Sequence, residues 1–219
     1  RAVYSEDGGR TWIYTSLSSP EYWRRVAYGE GIFIAVDNDR GNCSCSINGG
    51  KTWKAFKPFT ITPRLACVAY GGGSFVMMAE YSTNNAIYST NGAKTWASAA
   101  TPFSGTCRSI TYGGGAFVAT FTNKDKAAYS IDGGKTWAET VLPFSGDWAD
   151  IAYGGGVFVA VAYNSDKAAY STDGGKTWAE TVLPFSGNWV DIAYGGGVFV
   201  AVRSGSDKAA YSFTGKLVE

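Results

Sequence analysis

Indole rings, carboxylates and guanidinium groups recur at near-regular intervals along this 219-residue chain. Their chemistry is that of recognising a polar ligand. Trp23, Trp148 and Trp189 each open a short apolar stretch. An apolar ring with an N–H handle suits the flat face of a sugar. It suits the sealing of a core equally, and Leu65 and Cys107 take the same place in the other copies. Asp150 and Asp191 follow their tryptophans by two residues, which on a strand puts each pair on one face. There they can bond sugar hydroxyls or tie down neighbouring loops. Arg24, Arg25, Arg64 and Arg108 fall in the first three copies, and Asp147, Asp150 and Asp191 in the last two. That gradient can orient a polar ligand.

Other chemistries are excluded by composition. The chain has no histidine, which removes serine–histidine and cysteine–histidine catalysis. Cys43, Cys45, Cys67 and Cys107 do not recur from copy to copy, so no repeated disulfide framework is expected. Cys-x-Cys alone offers two metal ligands, and neither metal nor cofactor is expected. These cysteines read as small apolar residues filling repeat positions. Nineteen basic against eighteen acidic residues leave a net charge of +1, too little to draw the chain to nucleic acid or anionic lipid. No apolar run approaches the roughly 20 residues a membrane-spanning helix needs. The first residue is Arg1, so the chain reads as a piece of a longer protein.

What positions these groups is a repeat. Ser-x-Asp-x-Gly-x-Thr-Trp at residues 130–137 recurs, with variations, at 5–12, 46–53, 89–96 and 171–178. The residue before each copy falls at Tyr4, Cys45, Tyr88, Tyr129 and Tyr170, with an echo at Tyr211, giving spacings of 41, 43, 41, 41 and 41. A fixed period in this range signals a repeat architecture. The clearest unit reads Trp189 to Tyr194, a glycine triplet at 195–197, then Val198-Phe199-Val200-Ala201-Val202. Short β-branched and aromatic runs broken by glycines are strands joined by tight turns.

Each unit is predicted to be a four-stranded antiparallel meander, A to D, with A starting near residues 23, 65, 107, 148 and 189. Strand B is apolar at successive positions, so both of its faces must be covered. Face-to-face stacking in a ring achieves this and leaves only short edges. The expected fold is therefore all-β, a five-bladed β-propeller of about 41 residues per repeat, filling residues 1–219 as one domain. Residues 1–16 are expected to complete the last blade, leaving 207–219 as a surplus strand or tail.

The boxes at Asp7, Asp132 and Asp173, with Asn48 and Asn91 in the other two copies, resemble the Asp-box, or bacterial neuraminidase repeat, family of propellers. The Ala-Tyr-Gly-Gly-Gly-x-Phe-Val-Ala-Val phrase is similar to repeats in bacterial surface and phage tail proteins. The resemblance implies that the box is a structural hairpin between strands C and D. Turn amides bond to the Asp or Asn oxygen, and Trp12, Trp53, Trp96, Trp137 and Trp178 pack beneath. Asparagine in two copies fits a turn former better than a calcium ligand.

Sialidases of this family use an arginine trio to clamp a sugar carboxylate, a Tyr-Glu nucleophile pair and an acidic Asp. Arg24, Arg64 and Arg108 sit at or just before strand A in successive repeats, as a bidentate clamp requires. Against that, the Arg-Ile-Pro phrase is missing, and no carboxylate pair can be assigned to glycoside hydrolysis. Repeats four and five differ at six of 41 positions, and five of these, including Ala162/Arg203, lie in D–A or B–C loops or at the start of strand A. The expected function is thus a non-enzymatic module, lectin-like or receptor-binding, that takes a glycan or cell-surface ligand on the D–A and B–C loop face. A structural scaffold with a protein partner is the alternative, and a degenerate sialidase the third. The expected setting is extracellular, at a cell surface or on a virion.

Overall fold

A computed structural model describes residues 2–19, 22–37, 40–58, 64–79, 86–122 and 124–213. Among them are twenty-one strands and no helix. A hairpin of β1 (Ala2–Tyr4) and β2 (Ile13–Thr15) comes first. The first meander follows, with β3 (Trp23–Gly29), β4 (Ile32–Asp37), β5 (Cys43–Ser46) and β6 (Lys54–Phe56). The second has β7 (Leu65–Gly71), β8 (Ser74–Ala79), β9 (Ala86–Ser89) and β10 (Ala97–Ala99). The third has β11 (Cys107–Gly113), β12 (Ala116–Phe121), β13 (Lys124–Ser130) and β14 (Ala138–Gly146), and the fourth β15 (Trp148–Gly154), β16 (Val157–Ala162), β17 (Ser165–Ser171) and β18 (Ala179–Gly187). The fifth sheet has three strands, β19 (Trp189–Gly195), β20 (Val198–Arg203) and β21 (Ala209–Phe213). All pairings are antiparallel.

The A–B connection shows why glycine recurs. In the third meander the chain reverses through Gly114 and Gly115 at φ of 55° and 85°, a primed turn whose twist matches the strands it joins. A second glycine role holds the sheets together. The next-to-last residue of each later A strand, a tyrosine, lies on the preceding meander's strand-end glycine: Tyr70 on Gly29, Tyr112 on Gly71, Tyr153 on Gly113 and Tyr194 on Gly154. A Cβ at any of these glycines would stand within 2.1 Å of the ring.

Sheets stack face to face along β3, β7, β11, β15 and β19. The core is accordingly four slabs, one between each successive pair of meanders. The slab between the fourth and fifth, for example, joins Val161 and Ala168 to Trp189, Ile192 and Phe199. This is how the doubly apolar B strands are covered.

Two expectations change. The terminal strands do not close the last meander as the repeat arithmetic suggested. β21 pairs with β20, from Val198↔Phe213 to Val202↔Ala209, while β1 and β2 form a separate two-stranded sheet. A strand a few residues downstream closes a short loop and forms a local hairpin, whereas recruiting the N-terminal hairpin requires a contact across the whole chain. That hairpin lies beside the first meander, where Thr15 Oγ1 donates to Lys51 O at 2.8 Å, just as Thr140 Oγ1 donates to Lys176 O at 2.8 Å farther along. The second change concerns strand A, which carries a bulge after its first residue in all five meanders. Trp148 faces Ala162 and Asp150 faces Val161, successive residues of β16. The bulge therefore puts each tryptophan and its aspartate on opposite faces, not on one.

Candidate functional site

The meander topology puts A–B turns and Asp boxes on one rim and D–A and B–C loops on the other. On the box rim, Asp132 Oδ1 accepts from Lys135 N and Thr136 N at 3.0 and 2.9 Å, and its Oδ2 from Thr136 Oγ1 at 2.6 Å. Asp7 and Asp173 repeat the pattern. At Asn48 and Asn91 the oxygen still accepts from the threonine amide, and Nδ2 donates to the threonine hydroxyl instead. The box works with either side chain because a turn amide needs only one acceptor. Hydrogen bonds led by those from Thr11 hold Asp7 at a pKa of about 2. At Asp173 desolvation pushes upward, but the bonds from Thr177, Ser171 and Lys176 outweigh it and bring the carboxyl to about 2. Trp53, Trp137 and Trp178 cap their boxes by donating Nε1–H to the carbonyls of Gly50, Gly134 and Gly175. Trp12 is exposed, and Trp96 Nε1 is buried with no partner among the described residues.

On the opposite rim, Trp148 and Trp189 have no exposed surface. They stack on Phe144 and Phe185, with ring centroids 4.6 and 5.2 Å apart, and Trp148 Nε1 donates to Lys124 O at 3.0 Å. Both seal the core and offer no ring to a ligand, which removes them as stacking platforms. Trp23 is half-buried and donates to Ser19 O at 3.0 Å.

The charged candidates divide in two. Arg24 and Arg64 head the first two meanders, half-buried and exposed respectively. Arg108 reaches across to Asp147 at 3.9 Å. The arginine trio is thus not brought to one point around a single carboxylate, since its third member already faces an acid. Asp150 Oδ2 accepts from Ile192 N at 2.9 Å, so it ties the fourth meander to the fifth. Burial foremost, and a hydrogen bond with Asp191 next, raise Asp150 to a pKa of about 6. Asp191, one meander on, is exposed. Arg203 packs on the Phe185 ring, 5.3 Å from its centroid, and Nη1 donates to Ser186 O at 3.2 Å. It too is occupied in holding a loop. Tyr22 and Tyr163 expose aromatic surface on this rim, and neither was singled out from sequence.

Two concavities stand out. One of about 470 Å³ lies on the box rim, lined by Glu30, Ser74, Thr90, Tyr112, Asp132 and Lys135 among others. Glu30 is a signal that sequence reasoning missed: it replaces the second glycine of the Gly-Gly-Gly turn and stands at φ 50°. Burial first, then Glu30's charge and hydrogen bond, raise the Tyr70 pKa. The other concavity, about 490 Å³, lies between the N-terminal hairpin and the first meander, with Tyr4, Trp12, Arg24, Val26, Phe33 and Trp53 in its walls. Among the described residues no group of three His, Cys, Asp or Glu side chains is placed to hold a metal ion.

The BNR/Asp-box repeat matches residues 128–139 and 169–180. No curated protein matches the chain. Solved structures do. YCF48 bound to D1 peptide superposes with a TM-score of 0.71 at 16% identity, over 92% of this chain and 66% of that one. A streptogramin B lyase gives 0.76 at 21%, over 90% and 68%. YCF48 from Cyanidioschyzon merolae gives 0.66 at 19%, over 96% and 76%. This chain thus spans about two thirds of the length of the first two. At these identities the likeness is one of fold. The chain carries BNR/Asp-box repeats on an all-β, propeller-like stack of four-stranded antiparallel sheets.

Proposed function

We propose that this chain is a five-bladed, propeller-type module that acts by binding, and that it takes a polar segment of a protein partner on its D–A and B–C rim. The observation that carries the reading is the division of charge on that rim. Arg24, Arg25 and Arg64 head the first two blades, the exposed Asp191 heads the last, and Arg108 with Asp147 forms the junction. Strand termini held by backbone pairing keep these groups in place, as a recognition surface requires. An extended segment with an acidic end and a basic end matches it. A neighbouring fold that carries a peptide supports the same class of ligand.

A glycan is the second reading, favoured by the exposed rings of Tyr22 and Tyr163 and by the half-buried Trp23 and weakened by the burial of Trp148 and Trp189. Catalysis is the weakest. The carboxyl with a pKa near 6 is bonded to Ile192 N and Asp191, and Arg108 faces Asp147. Display outside the cell, at a surface or on a virion, is the setting this reading expects.

The test sets a peptide array against a glycan array, with and without the Arg24→Glu/Arg64→Glu pair. Peptide binding that weakens with salt and drops roughly tenfold on charge reversal supports the reading. Glycan capture at millimolar sugar without any peptide signal replaces it with the second. Turnover of a fluorogenic sialoside that is lost in Arg108→Ala revives the enzyme.

A further inference from the structure

Two of the five boxes hold an amide where the other three hold an acid, and in both the next residue is glycine: Asn48-Gly49 and Asn91-Gly92. The backbone nitrogen after an asparagine can attack the side-chain carbonyl carbon, and a glycine there puts no Cβ in the way. Both asparagines are exposed to water. Neither Gly49 N nor Gly92 N donates a hydrogen bond to a described residue, whereas Gly50 N is bonded to Ser46 Oγ at 3.0 Å. The two nitrogens that would attack are thus the ones the turn leaves unbonded.

The carbonyl is prepared as well. Asn48 Oδ1 accepts from Ser46 Oγ and Thr52 N, each at 3.0 Å, and Asn91 Oδ1 accepts from Ser89 Oγ and Thr95 N at the same distance. Two donors on one oxygen polarise its carbon and stabilise the oxyanion that forms when a nucleophile adds. The amide nitrogen that must leave donates to Thr52 Oγ1 at 2.8 Å, or to Thr95 Oγ1 at 2.7 Å, and a hydroxyl so placed can relay a proton to departing ammonia. The product fits too. At Asp132 Oδ1 accepts from Ser130 Oγ and Thr136 N, both at 2.9 Å, and Oδ2 from Thr136 Oγ1 at 2.6 Å. Replacing the amide NH2 by oxygen therefore asks only that the threonine hydroxyl turn from acceptor to donor.

We propose that Asn48 and Asn91 are sites of intramolecular deamidation, at which the folded boxes convert themselves from asparagine to aspartate. Gly49 N gives up its proton and bonds to Asn48 Cγ, the Cγ–Nδ2 bond breaks, ammonia leaves and a five-membered succinimide remains. Water then adds at Cγ, the bond from Cγ to Gly49 N breaks, and that nitrogen regains a proton. One water is consumed and one ammonium released for each carboxylate formed. The serine and threonine donors sit on the Cγ oxygen, so they favour opening at Cγ, which restores the normal backbone, over opening at the backbone carbonyl, which gives isoaspartate.

Glu30 sets the two sites apart. Its Oε2 lies 3.2 Å from where a Gly92 Cβ would stand, whereas nothing lies within 4 Å of that point at Gly49. A carboxylate beside the attacking nitrogen can take its proton through one water, so Asn91 converts first. This gives a use to an acid held at φ 50° where the other four copies have glycine.

The experiment incubates the full folded chain at pH 8, beside the same chain unfolded in guanidinium chloride, and follows intact mass and peptide maps. Each conversion adds one mass unit. The expected result is faster conversion in the folded chain than in the unfolded one, with Asn91 severalfold ahead of Asn48 and aspartate exceeding isoaspartate at both. Glu30→Gln should remove the lead of Asn91 and leave Asn48 unchanged. Ser46→Ala should slow Asn48 severalfold, while an unchanged rate at Asn91 in the same molecule reports that the fold is intact. Conversion that is slower folded than unfolded, isoaspartate as the main product, or rates that ignore both substitutions overturns the proposal.

Discussion

Replacing Asp150 by asparagine should stabilise the chain at neutral pH and abolish a specific part of its pH dependence. Asp150 sits between the fourth and fifth meanders, where burial and the neighbouring Asp191 raise its pKa from the ordinary 3.8 to about 6. A carboxyl raised in the folded state binds its proton more tightly there than in the unfolded chain. Its contribution is therefore fully present below pH 3.8 and is lost as pH climbs through 6. At about 1.4 kcal/mol per pH unit, a window of about two units sets the loss at on the order of 2 to 3 kcal/mol. Asparagine keeps an oxygen for the Ile192 amide and an N–H for Asp191, and it carries no charge to desolvate. Urea unfolding at pH 4 and pH 7.5 measures the effect. Wild type should lose stability between these values, and Asp150→Asn should be flatter and melt about 5 to 10 °C higher at pH 7.5. A variant no more stable than wild type at pH 7.5 would refute the reasoning.

Asp7 and Asp173 behave in the opposite sense. Their carboxyls lie near pKa 2, so what they contribute is present above 3.8 and lost as pH falls through about 2; acid titration of Asp173→Asn should show a shallower loss below pH 4. At neutral pH, Asp132→Asn should unfold within about 0.5 kcal/mol of wild type, whereas Asp132→Ala, which leaves the exposed Lys135 and Thr136 amides to water, should lose about 0.5 to 1.5 kcal/mol in denaturant. Gly154→Ala puts a Cβ 2.0 Å from the Tyr194 ring and should cost about 2 to 3 kcal/mol, seen as a lower denaturant midpoint. Trp148→Ala empties a fully buried site and should cost about 3 to 5 kcal/mol, with near-ultraviolet circular dichroism reporting the lost stack on Phe144.

Much of the architecture was legible because its causes are local. Glycine triplets at 71–73, 113–115, 154–156 and 195–197 mark turns that only glycine adopts cheaply, and the short β-branched and aromatic runs around them define the strands. The boxes were read as turn formers from their tolerance of asparagine, and hydrogen-bond chemistry explains that tolerance. The candidate site was less legible. Trp148 and Trp189 served a sugar platform and a core seal equally well on paper, and burial separated the two. The bulge after the first residue of strand A leaves no clear trace in residue type, yet it turns Asp150 to the face opposite Trp148. Glu30 and Tyr22 went unremarked because nothing in a repeat says which of its variable positions will be exposed.

By itself the sequence determined the repeat, the meander within it and the hairpin boxes, all set by interactions spanning fewer than one period. Only the tertiary structure decided which tryptophans are hidden and which sheet faces are covered. Those outcomes depend on contacts between sheets. Near-identical repeats present near-identical faces, so a face is covered or open according to whether a neighbour stands beside it, and residue type alone does not carry that information.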